Sequence, residues 1–324
     1  MKLIRFFCIL FLLISALACR SDSPEAEETP SPVFYQLPDP GTPRVVFVTG
    51  DEEYRSEESM PMLARILKNR YGFDVEVAYS VTDGFIDPNR RDNISGLEAL
   101  ENADMMVMFT RFRNLPDDQL QYILDFAESG RPMAGFRTST HAFRYGEDHV
   151  NSYLDEEWPR NIFGLPWISH FGSEHSTDVF LTEENKDHPI LRGVEPFYVR
   201  SWLYDATELS AAAEPLLIGR AVEGDDPEGD HFGDPQVVAW TKLYEGENRT
   251  SRVFFTTLGH PYDFNILHMR RTAIQGIFWA LGLENKIPQE GLNVDVIRFY
   301  NPNPAGLNQY KQAVRPGDIF LKID

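Results

Sequence analysis

Three short segments combine the side chains that proton transfer, nucleophilic attack or oxygen clamping would need. The first, Gly50-Asp51-Glu52-Glu53-Tyr54-Arg55-Ser56-Glu57-Glu58, places five carboxylates in the eight residues after its glycine. A solvated helix start, with Ser56 as cap and acids at the positive end of the dipole, accounts for the acids nearest the helix. It does not account for Glu52 and Glu53 directly at a strand end, so these two and Arg55 are candidate ligand contacts. The second segment is Gly135-Phe136-Arg137-Thr138-Ser139-Thr140-His141. A sharp strand-to-helix turn here would lift its central side chain above the sheet, as in a nucleophile elbow, although the sequence is not Gly-x-Ser-x-Gly. Counting two on from Gly135 puts Arg137 at the tip, and a guanidinium cannot attack but can clamp a carboxylate or a polarised oxygen. A turn two residues later exposes Ser139 instead, with His141 too near in sequence to be the obvious base. Thr138, Ser139 and Thr140 otherwise read as caps of a following helix. The third segment, Leu258-Gly259-His260-Pro261-Tyr262-Asp263-Phe264, offers a histidine fixed by proline and followed by an acid. Such a group can serve as acid, base or metal ligand.

A further cluster, Trp167-Ile-Ser-His170-Phe-Gly-Ser-Glu174-His175, supplies ligand types for a divalent metal. Its spacing matches no motif as specific as His-Glu-x-x-His, so no cofactor is predicted and a metal on His170, Glu174 and His175 stays as the alternative. Asp187-His188-Pro189-Ile190 reads as a turn entering a sheet edge.

The elements that must hold these loops alternate between two periods. Arg44–Thr49 is a continuous apolar run ending at Gly50, the form of a strand buried on both faces of a parallel sheet. Glu57–Arg70 carries Met62, Leu63, Ile66 and Leu67 at helical spacing and stops at Tyr71-Gly72, before a second strand over Asp74–Tyr79. Asp104–Thr110 reads as a strand, Asp117–Glu128 as a helix and Pro132–Phe136 as a strand, an alternation that implies parallel pairing with right-handed crossovers. Tyr145–Ser176 has no sustained period and reads as an insertion over the sheet. Asp178–Leu181, Phe197–Tyr204, Pro215–Val222 and Gln236–Leu243 follow one another without helices, which predicts an antiparallel extension. Arg252–Thr257 returns to the buried-strand form and leads through His260 to a helix over roughly Ile266–Leu281. The order predicts one open α/β domain over 44–283, followed by a Pro- and Asn-rich tail, 284–324, that packs on it. Ligands of such sheets bind outside the carboxyl ends of the strands, where all three loops fall.

Composition narrows the function. The 324 residues carry 30 Lys plus Arg against 50 Asp plus Glu, a net charge of −20, which argues against nucleic acid because phosphate binding needs cations to replace released counterions. The two cysteines, Cys8 and Cys19, leave everything downstream without a thiol, so a disulfide framework, a cysteine-built zinc site and a thiolate nucleophile are excluded from the domain. Lys2 and Arg5 precede an apolar run, Phe6–Leu17, too short to span a bilayer but suited to the core of a bacterial export signal. Ala16-Leu17-Ala18-Cys19 reads as a lipobox with Cys19 lipidated, or else as an ordinary cleavage site; the first predicts a lipoprotein held at a membrane in the periplasm or on the cell surface. Residues 20–43, rich in Ser, Glu and Pro, read as a disordered linker.

Five ordered blocks carry a resemblance. VVFVTGDEEYRSEESMP (45–61), GFRTSTHAF (135–143), FGLPWISHFGSEHS (163–176), His188-Pro189-Ile190 with Gly193-Val194, and RVFFTTLGHPYDFNILHMRRTAIQGIFWALG (252–282) together resemble ThuA-like proteins, the trehalose-utilisation family, over roughly Arg44 to Gly282. The resemblance implies a fold similar to class I glutamine amidotransferases: an open, mostly parallel flavodoxin-like sheet with helices on both faces, an elbow after a central strand and a catalytic histidine near the end. In those enzymes the elbow residue is Cys and a His-Pro-Glu element supplies the base. Here Arg137 takes the elbow and Tyr262 follows His260-Pro261, so Cys-dependent glutaminase activity is not expected. The family implies a carbohydrate ligand, oxidised (keto) disaccharides included, and leaves the reaction open. Trp167, Trp202, Trp240 and Tyr262 are available to stack on sugar rings or to fill the core. The expectation is then His260 as acid or base, Asp263 as its orienter and Arg137 as an oxygen clamp. Ser139, His141, His170, His175 and Tyr262 are expected to contact the ligand, with Glu52, Glu53 and Arg55 on the opposite wall. The rivals are a catalytically inert binding module on the same scaffold and a metal-assisted hydrolase built on His170, Glu174 and His175.

Overall fold

The computed structural model describes residues 32–38 and 41–320, so the leader 1–19, Cys19 and the linker up to Ser31 lie outside the described residues. In chain order the elements are β1 (Arg44–Gly50), α1 (Ser56–Tyr71), β2 (Asp74–Thr82), β3 (Phe85–Ile86), β4 (Ile94–Ser95), β5 (Met105–Thr110), α2 (Asp117–Glu128) and β6 (Met133–Phe136). Then follow α3 (Glu157–Phe163), β7 (His175–Leu181), β8 (Phe197–Val199), β9 (Glu214–Glu223), β10 (His231–Glu245), β11 (Thr250–Thr256), α4 (Leu267–Ala280) and α5 (Pro316–Phe320). The strands form one eleven-stranded sheet in the order β3-β2-β1-β5-β6-β11-β10-β9-β7-β8, with β4 on β2. From β2 to β11 the neighbours run parallel; β10, β9, β7 and β8 continue antiparallel. The α/β alternation and the antiparallel extension are both as the sequence predicts.

Alternation along β1 explains the two layers. Val45 and Phe47 face a core shared with α1 and α4, whereas Val46 and Val48 face one shared with α2 and α3, and all four are fully buried. Helices therefore cover both faces. Helix α1 ends where Gly72 adopts a left-handed φ of 71° and its N–H returns to the Lys68 carbonyl.

Two expectations about the elements need correction. Phe197–Tyr204 is a strand only to Val199, because the next backbone groups bond to side chains instead of a ladder: Arg200 N–H donates to Asp263 Oδ1 (2.8 Å), Leu203 N–H to His175 Nε2 (2.7 Å), and Ser201 C=O accepts from Thr177 Oγ1 (2.7 Å). The stretch 20–43 is not a free tether throughout. Val33 C=O accepts from Thr250 N–H (2.8 Å) and the Tyr35 hydroxyl bonds Asp104, seating this segment beside β11. The tail runs back along α1: Tyr300 bonds the Pro261 carbonyl (3.0 Å), Gly306 N–H the Glu53 carbonyl (2.8 Å) and Arg65 the Ile319 carbonyl (2.9 Å). Among the described residues no helix is long and apolar enough to cross a membrane.

Candidate functional site

The turn after β6 is sharp. Arg137 holds a φ of 43°, a left-handed conformation that costs a non-glycine residue about 1–2 kcal/mol. Its neighbours over-determine it: Thr138 Oγ1 donates to Asp51 Oδ2 and Ser139 Oγ to the Met108 carbonyl (3.0 Å). Two glycines make room. A Cβ on Gly135 would sit 2.5 Å from the Phe255 ring, and one on Gly259, whose φ is 153°, would sit 3.1 Å from Arg137 Cβ. Only a short 3₁₀ turn, Arg137–His141, follows, in place of the helix that Thr138, Ser139 and Thr140 would cap. Ser139 is thus buried against β5, not exposed.

The Arg137 guanidinium lies between two tyrosine rings, 4.1 Å from the Tyr54 centroid and 4.7 Å from that of Tyr204. It donates to the carbonyls of Thr257 (3.0 Å) and Trp202 (3.3 Å) and to the Tyr54 hydroxyl (3.1 Å). The elbow guanidinium is therefore held largely by protein groups, although it lines the cleft beneath Tyr54 and its Nε has no partner.

His260 starts the 3₁₀ turn Pro261–Asn265 as a capping box. Its Nδ1 accepts from Tyr262 N–H (3.2 Å), which assigns the proton of the neutral ring to Nε2. Burial, helped by Arg137 and Arg200, pushes its pKa down to about 3, so the ring is neutral at physiological pH. Asp263 does not touch the imidazole. Its carboxylate accepts from Ser201 Oγ (2.5 Å) and from the backbone N–H groups of Arg200 (2.8 Å), Gly259 (3.2 Å) and His260 (3.1 Å), tying β8 to the strand-end loop. The expected ring orienter is a backbone anchor, because the capping geometry aims the carboxylate at N–H groups.

The acidic loop divides. Glu53 lines the cleft, whereas Glu52 is 2% exposed and held by three arginines: Arg91 (2.8 Å), Arg111 (2.7 Å) and Arg113 (2.6 Å). Arg55 is also buried, bonding the carbonyls of Glu52 and Gly306. Neither Glu52 nor Arg55 forms the wall expected of it. Ser56 does not cap α1; its Oγ accepts from Gly50 N–H (3.1 Å), and Arg55 occupies the cap position with a φ of 56°. Burial raises the pKa of Glu53 from its ordinary value, against the pull of Arg111 at 3.0 Å.

The insertion histidines stand one layer back. His170 and His175 pack on Trp202, with ring centroids 5.1 and 6.1 Å away, and His175 Nε2 is occupied by Leu203 N–H. Burial pushes His175 down to about 4. His141 is buried between Phe112 and Trp167, each centroid 4.9 Å away. Glu174 reaches the cleft mouth, but among the described residues no three His, Cys, Asp or Glu side chains are grouped to hold a metal ion. The described residues therefore do not group His170, Glu174 and His175 as a metal site. Trp240, weighed above as a stacking platform, is a core residue, fully buried.

What remains is a cleft of about 610 Å³ at the carboxyl ends of the strands, walled by Glu53, Tyr54, Trp202, His260 and Tyr262, with Ala305 and Gly306 from the tail. Arg200 and Asp225 pair at its mouth. Sequence reasoning placed the tail on the domain but missed Asp51, Ser201 and the tail's share in the cleft. Asp51 lay inside the quoted acidic loop, but the tail residues carry no local signal of their place. The cleft pairs a carboxyl of raised pKa with an imidazole whose free nitrogen carries hydrogen, among aromatic faces. That set can bind a polyhydroxylated ring and move a proton at Glu53.

A family model described as ThuA, trehalose utilisation, matches residues 44–280. Among solved structures, a ThuA-like protein from Parabacteroides merdae is similar at 17% identity with a TM-score of 0.52, covering 84% of this chain and 98% of its own. A ThuA-like protein from Bacteroides uniformis aligns at 14% identity with a TM-score of 0.48, covering 76% of this chain and 93% of its own. No match is found among curated proteins.

Proposed function

From the premise that the chain belongs to the ThuA family, we propose that the strand-end cleft binds a sugar or keto-sugar and catalyses an acid–base step on it without a cysteine nucleophile. The family's description, trehalose utilisation, supports a carbohydrate-related function. The observation that carries the rest is the pairing of Glu53 and His260 in one cleft lined by Tyr54, Trp202 and Tyr262. His260 acts as a neutral hydrogen-bond donor through Nε2, since its Nδ1 accepts from the backbone. Such a donor stabilises charge developing on a carbonyl or glycosidic oxygen. Glu53, with its raised pKa, carries the proton. In this reading the acid–base role expected of His260 passes to Glu53.

The full chain is screened against sugars and their keto derivatives by thermal shift, and hits are then incubated and followed by NMR. Expected is a hit lost in Trp202→Ala, with turnover abolished in Glu53→Gln while binding persists. Turnover unchanged in Glu53→Gln overturns the assignment of the proton carrier, and no carbohydrate hit overturns the ligand class. One observation favours the inert binding module as the second reading: the elbow side chain is sealed by Tyr54 and Tyr204. A sugar that binds and stays chemically unchanged decides for it.

We further propose that the protein works as a lipoprotein anchored through Cys19. Metabolic labelling with a palmitate analogue, lost in Cys19→Ala, is the expected result; unlabelled wild-type protein overturns it.

A further inference from the structure

A second cavity, of about 300 Å³, lies between α1 and the tail, lined by Glu57, Arg65, Ile86, Arg298, Phe299 and Val314 among others. Within its lining Glu57 is 5% exposed, yet neither carboxyl oxygen has a hydrogen-bond partner. The nearest cation, Arg55 Nε, is 3.8 Å from Oε1, beyond hydrogen-bond length, and Nε and Nη1 of that arginine are also unpartnered. The buried Tyr79 hydroxyl behind Ile86 is a further orphan. A buried polar group left without a partner costs about 1–3 kcal/mol, so the Glu57 carboxyl, the one orphan among the named groups that itself lines the cavity, is a group arranged for something the cavity receives.

The cations facing this space favour an anion. Arg65 and Arg298 make no ion pair among the described residues, and burial, then the charge of Arg298, disfavours the charge on Arg65. Lys311 is engaged by Glu58, and Asp318 accepts from the backbone of Arg315. Burial pushes the Glu57 acid up to about 8, so it is an O–H donor near neutrality. With Glu57 neutral, Arg65, Arg298 and Lys311 outnumber Glu58 and Asp318, a local positive balance in a chain of net charge −20. Phe299, 91% exposed, and Val314 offer apolar contact at the rim.

We propose that this cavity is a second ligand site, distinct from the strand-end cleft, and that it takes a small hydroxy- or oxo-carboxylate. The ligand carboxylate bridges Arg65 and Arg298 at the mouth, where two guanidinium forks match its geometry. Its hydroxyl or carbonyl oxygen meets Glu57 at the closed end. The site depends on residues 298–319, beyond the segment that matches the family, so it is a property of this chain and its tail.

Isothermal titration of the full protein with D-gluconate, pyruvate and, at equal ionic strength, inorganic phosphate tests the assignment. One of the two carboxylates is expected to bind one-to-one. Arg65→Gln and Arg298→Gln should each weaken it at least tenfold and Glu57→Ala at least fivefold, with the main cleft's ligand response unchanged. Arg298 is exposed, so its variant folds and its result stands even where Glu57→Ala does not fold. Failure of both carboxylates to bind, or binding indifferent to Arg298→Gln, overturns the proposal. Phosphate bound as tightly as the carboxylates, with the same arginine dependence, overturns the ligand chemistry.

Discussion

Glu52→Gln tests the claim that the acidic loop is an internal anchor. In the folded protein one carboxylate, 2% exposed, pairs with Arg113 and Arg111, whose side chains are 0% and 19% exposed, and also meets Arg91, 45% exposed. Glutamine keeps the shape but removes the anion and turns an N–H₂ group toward guanidinium donors. Arg113 is then a buried cation whose remaining partners are Ser80 Oγ and the carbonyls of Pro88, Arg90 and Arg111. Breaking a buried pair from one side costs about 3–5 kcal/mol, whereas a half-exposed pair contributes about 0.2–1 kcal/mol. Urea unfolding with linear extrapolation should therefore show Glu52→Gln losing several-fold more stability than Arg91→Ala, at unchanged slope. Combining Glu52→Gln with Arg113→Met should cost less than the sum of the single changes, with a coupling of about 0.5–3 kcal/mol. If Glu52→Gln falls within about 1 kcal/mol of Arg91→Ala, the buried-anchor reasoning fails.

Three further outcomes follow from burial and close packing. Gly135→Ala drives a Cβ to 2.5 Å from Phe255 and 2.7 Å from Phe163, so thermal unfolding should report a loss of about 1–3 kcal/mol; a neutral result refutes the close packing. His175 and His188, each pushed down to about 4 by burial, stay neutral when folded while the unfolded chain protonates near pH 6.5. Their stabilisation is present above pH 6.5 and lost as pH falls toward 4, and His175→Gln should flatten the urea midpoint over that window. Glu57 has the opposite sign: folded, it keeps until about pH 8 a proton that the unfolded chain loses near 4.5, so stability falls as pH rises between those values. Glu57→Gln should be more stable than wild type by about 2–4 kcal/mol at pH 8 and nearly equal at pH 4.5. Equal midpoints at pH 8 refute it.

The sheet was legible because burial on both faces demands apolar side chains at every position. β1 and β5 satisfy that demand continuously, and α2 shows its period as Leu120, Ile123 and Ala127. Strand β10 runs from His231 to Glu245, well beyond the expected Gln236–Leu243, because register irregularities at Phe232/Gln236 and Val237/Ala239 break the alternation that marks a strand. Arg137 could be placed at the elbow by counting from Gly135, but its two tyrosines could not: Tyr204 is 67 positions away and no local spacing encodes such a meeting. The reading of Glu52 failed for the same reason, since its partner Arg113 is 61 positions distant. Nor could spacing show that the Asp263 carboxylate serves backbone N–H groups instead of the ring beside it.

Ala305 and Gly306 close one side of the strand-end cleft, yet they are made after every strand of the sheet. The ribosome releases the polypeptide N-terminus first, at about 5–20 residues per second, so Gly306 emerges roughly 3–10 s after the end of β11. During that interval every strand is available for pairing while the cleft stands open on one flank and Arg55 lacks the Gly306 carbonyl. A product ending before Gly306 would keep the whole sheet and lose that flank, so an intact fold would report nothing about a competent site.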